Sequence, residues 1–202
     1  MADDGGSMTT KKILLKGPLL TRSGYGEQTK FALRALRSRP DIFDIYIQPI
    51  TWGMCSWTVD DDEERRWIDK TIEKTIGFMQ SGGQFDMSIQ VTIPPEWEKL
   101  AAVNIGYTAG IETTRVHHAW IQKGNIMDRI ITVAEHGKYT FESTSWTAIN
   151  KDTNEEHQIR LSTPSVAVNY PVKVYDNLPE LDLNLEHDFN FLMIAQAGPR
   201  KN

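Results

Sequence analysis

Three segments of this chain place chemically capable residues at glycine-bearing turns. The first is Gly17-Pro18-Leu19-Leu20-Thr21-Arg22-Ser23-Gly24-Tyr25-Gly26. Glycines let backbone N–H groups approach a ligand closely, and a helix N-terminus following such a turn favours negative charge. A plain tight turn uses the same residues, and the sequence leaves both readings open. The second segment is Tyr107-Thr108-Ala109-Gly110-Ile111-Glu112-Thr113-Thr114. Its Glu112 could accept a hydrogen bond from a sugar hydroxyl or cap the next helix. The third is Ala134-Glu135-His136-Gly137-Lys138, in which His136 could touch a ligand or serve structure alone.

Several familiar chemistries are disfavoured. A phosphate loop needs Gly-Lys-Ser/Thr at its end, and Gly24-Tyr25 and Gly26-Glu27 both fail that test. A dinucleotide fingerprint needs a third glycine where Thr29 stands. His117 and His118 are adjacent, point to different sides of a helix or strand, and have no carboxylate or histidine at i+4. That makes them a poor metal pair, better suited to capping or to the surface. No Gly-x-Ser-x-Gly element occurs. Cys55 lacks the basic or helix-start setting of a reactive thiolate. No pair of acids stands out as an acid–base couple.

The elements that must carry these residues follow from periodicity. Ile13-Leu14-Leu15 reads as a buried strand, Glu27 to Ser38 as a helix stopped by Pro40, and Phe43 to Ile50 as a second strand. Trp52 to Trp57 reads as an aromatic loop. Asp60 to Gln80 is the clearest helix: carboxylates crowd its start, and Trp67, Ile68, Thr71, Ile72, Thr75, Ile76 and Met79 form one stripe. Gly82 and Gly83 close it. Strands are expected over Phe85–Ile93, Val103–Thr108, Ile130–Ala134 and Val166–Val168. Short helices are expected over His117–Lys123, with Trp120 in the core, and from His136 to Phe141. Thr144 to Gln158 reads as an irregular, exposed excursion. Strands alternating with helices predict an α/β fold, a Rossmann-like open, mostly parallel sheet with helices on both faces. In such a sheet all three segments fall at the carboxyl edge, where ligands bind.

The totals set the class. The 202 residues suffice for one sizeable α/β domain, and the net charge of -5 makes nucleic acid a poor partner. One cysteine leaves no disulfide framework within the chain. No apolar stretch approaches the roughly 20 residues of a membrane span. Residues 1–11 lack a signal-peptide core and read as a disordered leader or tag. Together these point to a soluble, cytoplasmic protein. The domain is expected over 12–175, with a Pro- and Asn-rich linker over 176–188. The apolar run from Phe189, followed by Gly198-Pro199-Arg200-Lys201-Asn202, reads as a strand and turn opening a second α/β domain at 189–202.

In order and spacing these segments resemble the N-terminal half of a GT-B glycosyltransferase of the retaining family 4 type, over most of Lys12 to Asn202. Ile13 to Gly26 is similar to that family's glycine-rich acceptor-side loop, and Asn104 to Glu112 with Trp120 to its fourth strand and acidic turn. Met127-Asp128-Arg129-Ile130-Ile131-Thr132-Val133-Ala134-Glu135-His136 resembles its segment entering the fifth helix, although many members carry serine where Glu135 stands. Phe191 to Asn202 looks like the first strand and turn of the donor-binding domain. The resemblance implies transfer of a sugar from a nucleotide-sugar donor to an acceptor hydroxyl, with no metal and no separate cofactor. Ser23, Gly24, Tyr25, Gly26, Glu112 and His136 would contact the sugar or glycan acceptor. Arg200 and Lys201 would contact the donor diphosphate, although Gln196 stands where arginine is common. The family's paired donor-site glutamates have no counterpart here, so this half is expected to be inactive alone and to self-associate through the interface left open. The rival readings are a non-enzymatic binding or scaffold module using the Trp52–Trp57 loop, and another two-domain α/β enzyme. An epimerase would need a Tyr-x-x-x-Lys pair, and neither Tyr25 nor Tyr139 supplies one.

Overall fold

The computed structural model describes residues 10–172, 174, 176–179 and 183–193. The chain forms β1 (Lys11–Gly17), α1 (Gly24–Arg37), β2 (Phe43–Pro49), α2 (Glu63–Gln80), β3 (Met87–Val91), β4 (Val103–Thr108), α3 (His118–Gly124) and β5 (Arg129–Thr132). It continues through α4 (Glu135–Ser143), β6 (Ser145–Ile149), β7 (Glu156–Arg160) and β8 (Ser165–Ala167). Six strands form one all-parallel sheet in the order β2-β1-β3-β4-β5-β8, the Rossmann-like open sheet expected from the alternation. The chain steps one way from β1 to β2 and the other way ever after. The order therefore reverses between β1 and β3, which sets a crevice outside their carboxyl ends.

Strand alternation divides the core between two faces. Ile13 and Leu15 pair in register with Ile45 and Ile47, and that face packs on Leu33 and Leu36 of α1 and Ile68 of α2. Helix α1 sits close enough that a Cβ on Gly17 would meet Thr29 Oγ1 at 2.6 Å. On the other face Leu14 and Tyr46 meet Phe85 and Phe78. Further along, that face becomes polar: Ser88, Gln90 and Asn104 are buried. Their partners explain why. The β3–β4 crossover has only a 3₁₀ turn at Pro94–Glu96, so most of its backbone needs partners from outside. Gln90 Oε1 accepts from Glu98 N (3.0 Å), and Gln90 Nε2 donates to Glu98 O (2.6 Å). Asn104 Oδ1 accepts from Leu100 N and Ala101 N, while Nδ2 donates to Ala101 O. The fully buried Trp97 ring from this crossover lies against Gly106 of β4, where a Cβ would come within 2.6 Å of it.

Helix α2 seals the outer edge of β2. Thr75 Oγ1 accepts from Ile47 N at 2.8 Å, and Lys74 Nζ donates to Ile45 O at 3.1 Å, so two edge groups of the strand are satisfied.

The structure corrects four local expectations. β1 begins at Lys11, which the sequence placed in the leader. Helix α1 begins at Gly24, earlier than Glu27, because Ser23 caps it: Ser23 Oγ accepts from Gly26 N at 2.9 Å. Gly24-Tyr25-Gly26 is thus the first helical turn, not the end of a loop. The third strand is shorter than Phe85–Ile93. Residues 144–158 are not irregular: they hold β6 and most of β7, an antiparallel pair closed by a turn in which Asn154 takes φ 55°.

The described chain divides into two units, one ending at Pro171 and the other starting at Val172. In the second, the described residues form no helix or strand. Phe189, Phe191, Leu192 and Met193 are exposed, with the two phenylalanine rings 5.0 Å apart. The strand expected from Phe189 does not form over 189–193, and its remainder lies outside the described residues. No helix among the described residues is long and apolar enough to cross a membrane.

Candidate functional site

The candidate site lies at the carboxyl edge, beside the β1/β3 crevice, and Tyr25 is its hub. Its phenol leaves the first turn of α1 and reaches the end of β4. The oxygen accepts from Ala109 N at 3.2 Å and lies 2.9 Å from Thr108 Oγ1. Thr108 Oγ1 also accepts from Gly110 N at 3.3 Å, which steadies the turn leading to Glu112. The Tyr25 ring packs on Trp52, with centroids 4.4 Å apart. Trp52 stands just after β2, so its loop rises from the same edge. Burial raises the Tyr25 phenol pKa, the bonds to Thr108 and Ala109 oppose this, and the charges of Glu96 and Glu112 add to the rise. Tyr25 is therefore a neutral tether and wall, not a base.

The carboxylates that act on Tyr25 come from two turns. Glu112 is exposed on the turn after β4. Glu96 follows β3, and its carboxyl lies above the usual range through partial desolvation, opposed by Lys16. Lys16 itself pairs with Glu98 at 2.7 Å. Two carboxylates beside two aromatic rings suit a hydroxyl-bearing neutral ligand better than a free anion.

His136 stands in the first turn of α4, and its Nε2 is 3.1 Å from Thr113 O. A carbonyl only accepts, so Nε2 carries the proton and, in the neutral ring, Nδ1 remains as an acceptor. Gly110, at φ 84°, brings this turn against α4: a Cβ there would sit 3.5 Å from Gly137 Cα. Glu112 and His136 are thus linked through Thr113.

The four residues of the α1 start have different tasks. Ser23 Oγ is occupied by the Gly26 cap and by Thr21 Oγ1 at 2.8 Å, so it serves structure. Gly26 is buried, and a Cβ on it would lie 2.2 Å from Thr21 O, so it is a packing glycine. Gly24 is exposed, with nothing within 4 Å of a Cβ position, and alone of the two presents open backbone to the edge. Arg200 and Lys201 lie outside the described residues.

Beneath this turn, Tyr170 O–H donates to Oε1 of the fully buried Gln28 at 3.1 Å, while Gln28 Nε2 has no protein partner. Burial, with Tyr107 and Tyr25 nearby, pushes Tyr170 up to about 12.

Sequence reasoning missed Trp52, Thr108 and Glu96 as site residues. A usable signal existed for each: all three follow, or end, a strand of the parallel sheet and so arrive at one edge. Among the described residues no group of three or more His, Cys, Asp or Glu could hold a metal ion. No family model, curated protein or solved structure matches the chain.

Proposed function

We propose that this chain is the acceptor-side half of a glycosyltransferase, holding a sugar or glycan whose hydroxyl receives a sugar from a nucleotide-sugar. The observation that carries the reading is the convergence of Tyr25, Trp52, Glu112 and His136 on one sheet edge beside the switch point. An indole face supplies the apolar contact a sugar ring needs. Glu112 and the Nδ1 of His136 supply acceptors for its hydroxyls, and the exposed Gly24 backbone borders the same space. The reaction then takes place against a donor-binding domain, so the chain by itself binds without catalysing. Saturation-transfer NMR with a panel of neutral mono- and disaccharides tests this. Transfer to at least one sugar is expected, and its loss in Trp52→Ala and Glu112→Gln. Transfer by the isolated chain from a nucleotide-sugar, or no sugar bound at all, would overturn the reading.

A binding or scaffold module is the second reading. It is favoured by the exposed Met54, Trp57 and Val59 in the loop before α2, an apolar surface on the chain's outside. The same NMR panel separates the two, since a scaffold loop gives no sugar signal.

A further inference from the structure

A second cluster lies outside the edge site, where the β6–β7 hairpin meets the lead into α3. The Arg115 guanidinium carbon lies over the Trp146 ring, 3.6 Å from its centroid, and Arg115 NH2 donates to Ser145 O. Trp146 is fixed in turn: its Nε1 donates to Val116 O at 3.0 Å. The His117 and His118 rings are 4.0 Å apart and lie 6.4 and 6.0 Å from Trp146. Both are exposed. His117 Nδ1 accepts from Ala119 N at 3.2 Å, so its Nε2 carries the ring proton of the neutral form and is a donor. The hairpin register sets His157 opposite Ala148, on the Trp146 face, and Arg160 opposite Ser145.

Two features distinguish this cluster from ordinary hairpin docking. Arg34, Arg37, Arg39, Arg65 and Arg66 each pair with a carboxylate, whereas Arg22, Arg115, Arg129 and Arg160 enter no ion pair among the described residues, and of these four Arg115 is the one stacked on an aromatic ring. The acids of the hairpin, Asp152, Glu155 and Glu156, stand at its turn end, away from the Trp146–Ile159 pair. A guanidinium has five donors in a rigid fork, and Ser145 O engages one group of them. The rest are held in place by the indole before any ligand arrives, which lowers the ordering cost of binding.

We propose that Arg115, His117 and His118, on the Trp146 platform, form a subsite for an oxyanion, the phosphoryl or carboxylate group of a ligand. Arg115 supplies paired N–H donors, and His117 Nε2 supplies a further one. Arg115 is three residues from Glu112, at most about 11 Å of extended chain. One ligand could therefore place a neutral part at the edge and its anion here, although the subsite stands without that reading.

The test is amide and indole NMR on the full chain, titrated with inorganic phosphate, with glucuronate, and with glucose as the neutral control. Saturable shifts of the Trp146 indole N–H are expected with phosphate or glucuronate, and not with glucose. Whichever of the two binds tighter identifies the source of the anion. Arg115→Gln should weaken that binding about tenfold or more, the worth of a charge-assisted bond pair. Should that variant undock the hairpin, seen as a displaced Trp146 signal without ligand, Arg115→Lys is the second variant. It keeps the charge but not the fork and should weaken binding severalfold. Absence of saturable shifts, or unchanged affinity in a docked variant, overturns the proposal. The signal comes from Trp146 and not Trp52, so this outcome is independent of sugar binding at the edge.

Discussion

Gly24 and Gly26 stand two apart in one helical turn, and their environments make them opposites. A Cβ at Gly26 would collide with Thr21 O at 2.2 Å, while one at Gly24 meets nothing within 4 Å. Gly26→Ala should therefore destabilise the fold by about 1–3 kcal/mol, as forced overpacking does. Gly24→Ala should leave stability unchanged or raise it by up to about 1 kcal/mol, since alanine suits a helix better. Yet it should weaken sugar binding, because it fills the open backbone at the edge. Urea denaturation of both variants, with sugar titration of Gly24→Ala, measures the contrast. Equal destabilisation by both substitutions would mean the open space at Gly24 is not there. At the same scale, the glycines and Glu112 were legible as candidates, but their division of labour was not. Motif spacing shows that glycine is present, whereas only the packing shows whether Thr21 or empty space lies beyond it.

At the scale of elements, what closes each edge of the structure decides its stability. Thr75 is an apparently misplaced polar residue on the apolar stripe of α2. Its hydroxyl accepts from Ile47 N and donates to Thr71 O, inside a nearly dry contact. Thr75→Val keeps the shape but leaves a buried N–H without an acceptor, at a cost of about 1–3 kcal/mol. Thermal or urea unfolding checks this; a loss below about 0.5 kcal/mol would mean that Ile47 finds water instead. The long elements were readable because their apolar spacing is strong: the α2 stripe and the Ile13-Leu15 run announce themselves. The hairpin was not. Its strands are mostly exposed, its cross-strand pairs include Thr147 with Gln158, and its anchorage comes from Arg115 and Val116, about thirty residues earlier. No local period records such a contact. The early start of α1 was hidden for a related reason: glycines at Gly24 and Gly26 signal a turn, while the Ser23 cap that makes them helical is read only with its N–H partner in view.

For the whole molecule, the sheet order brings the pieces to one place. The β1/β3 switch point opens a crevice, and the turns after β1, β2, β3 and β4 each deliver a residue to its rim. Alternating strands and helices announced the parallel sheet, but not its order. The order depends on long-range pairing and on devices such as Gln90 and Asn104, which let an almost helix-free crossover bury its backbone. The resulting edge carries the Tyr25 and Trp52 rings with Glu96 and Glu112, and Arg115 with the two histidines stands at the hairpin. That division makes the account specific about where a neutral sugar should go. The most direct test is an amide chemical-shift map of the chain saturated with the tightest-binding neutral sugar. The account predicts shifts confined to residues 23–26, 108–113 and 136 and to the Trp52 indole. Shifts centred elsewhere, with those residues silent, would contradict it.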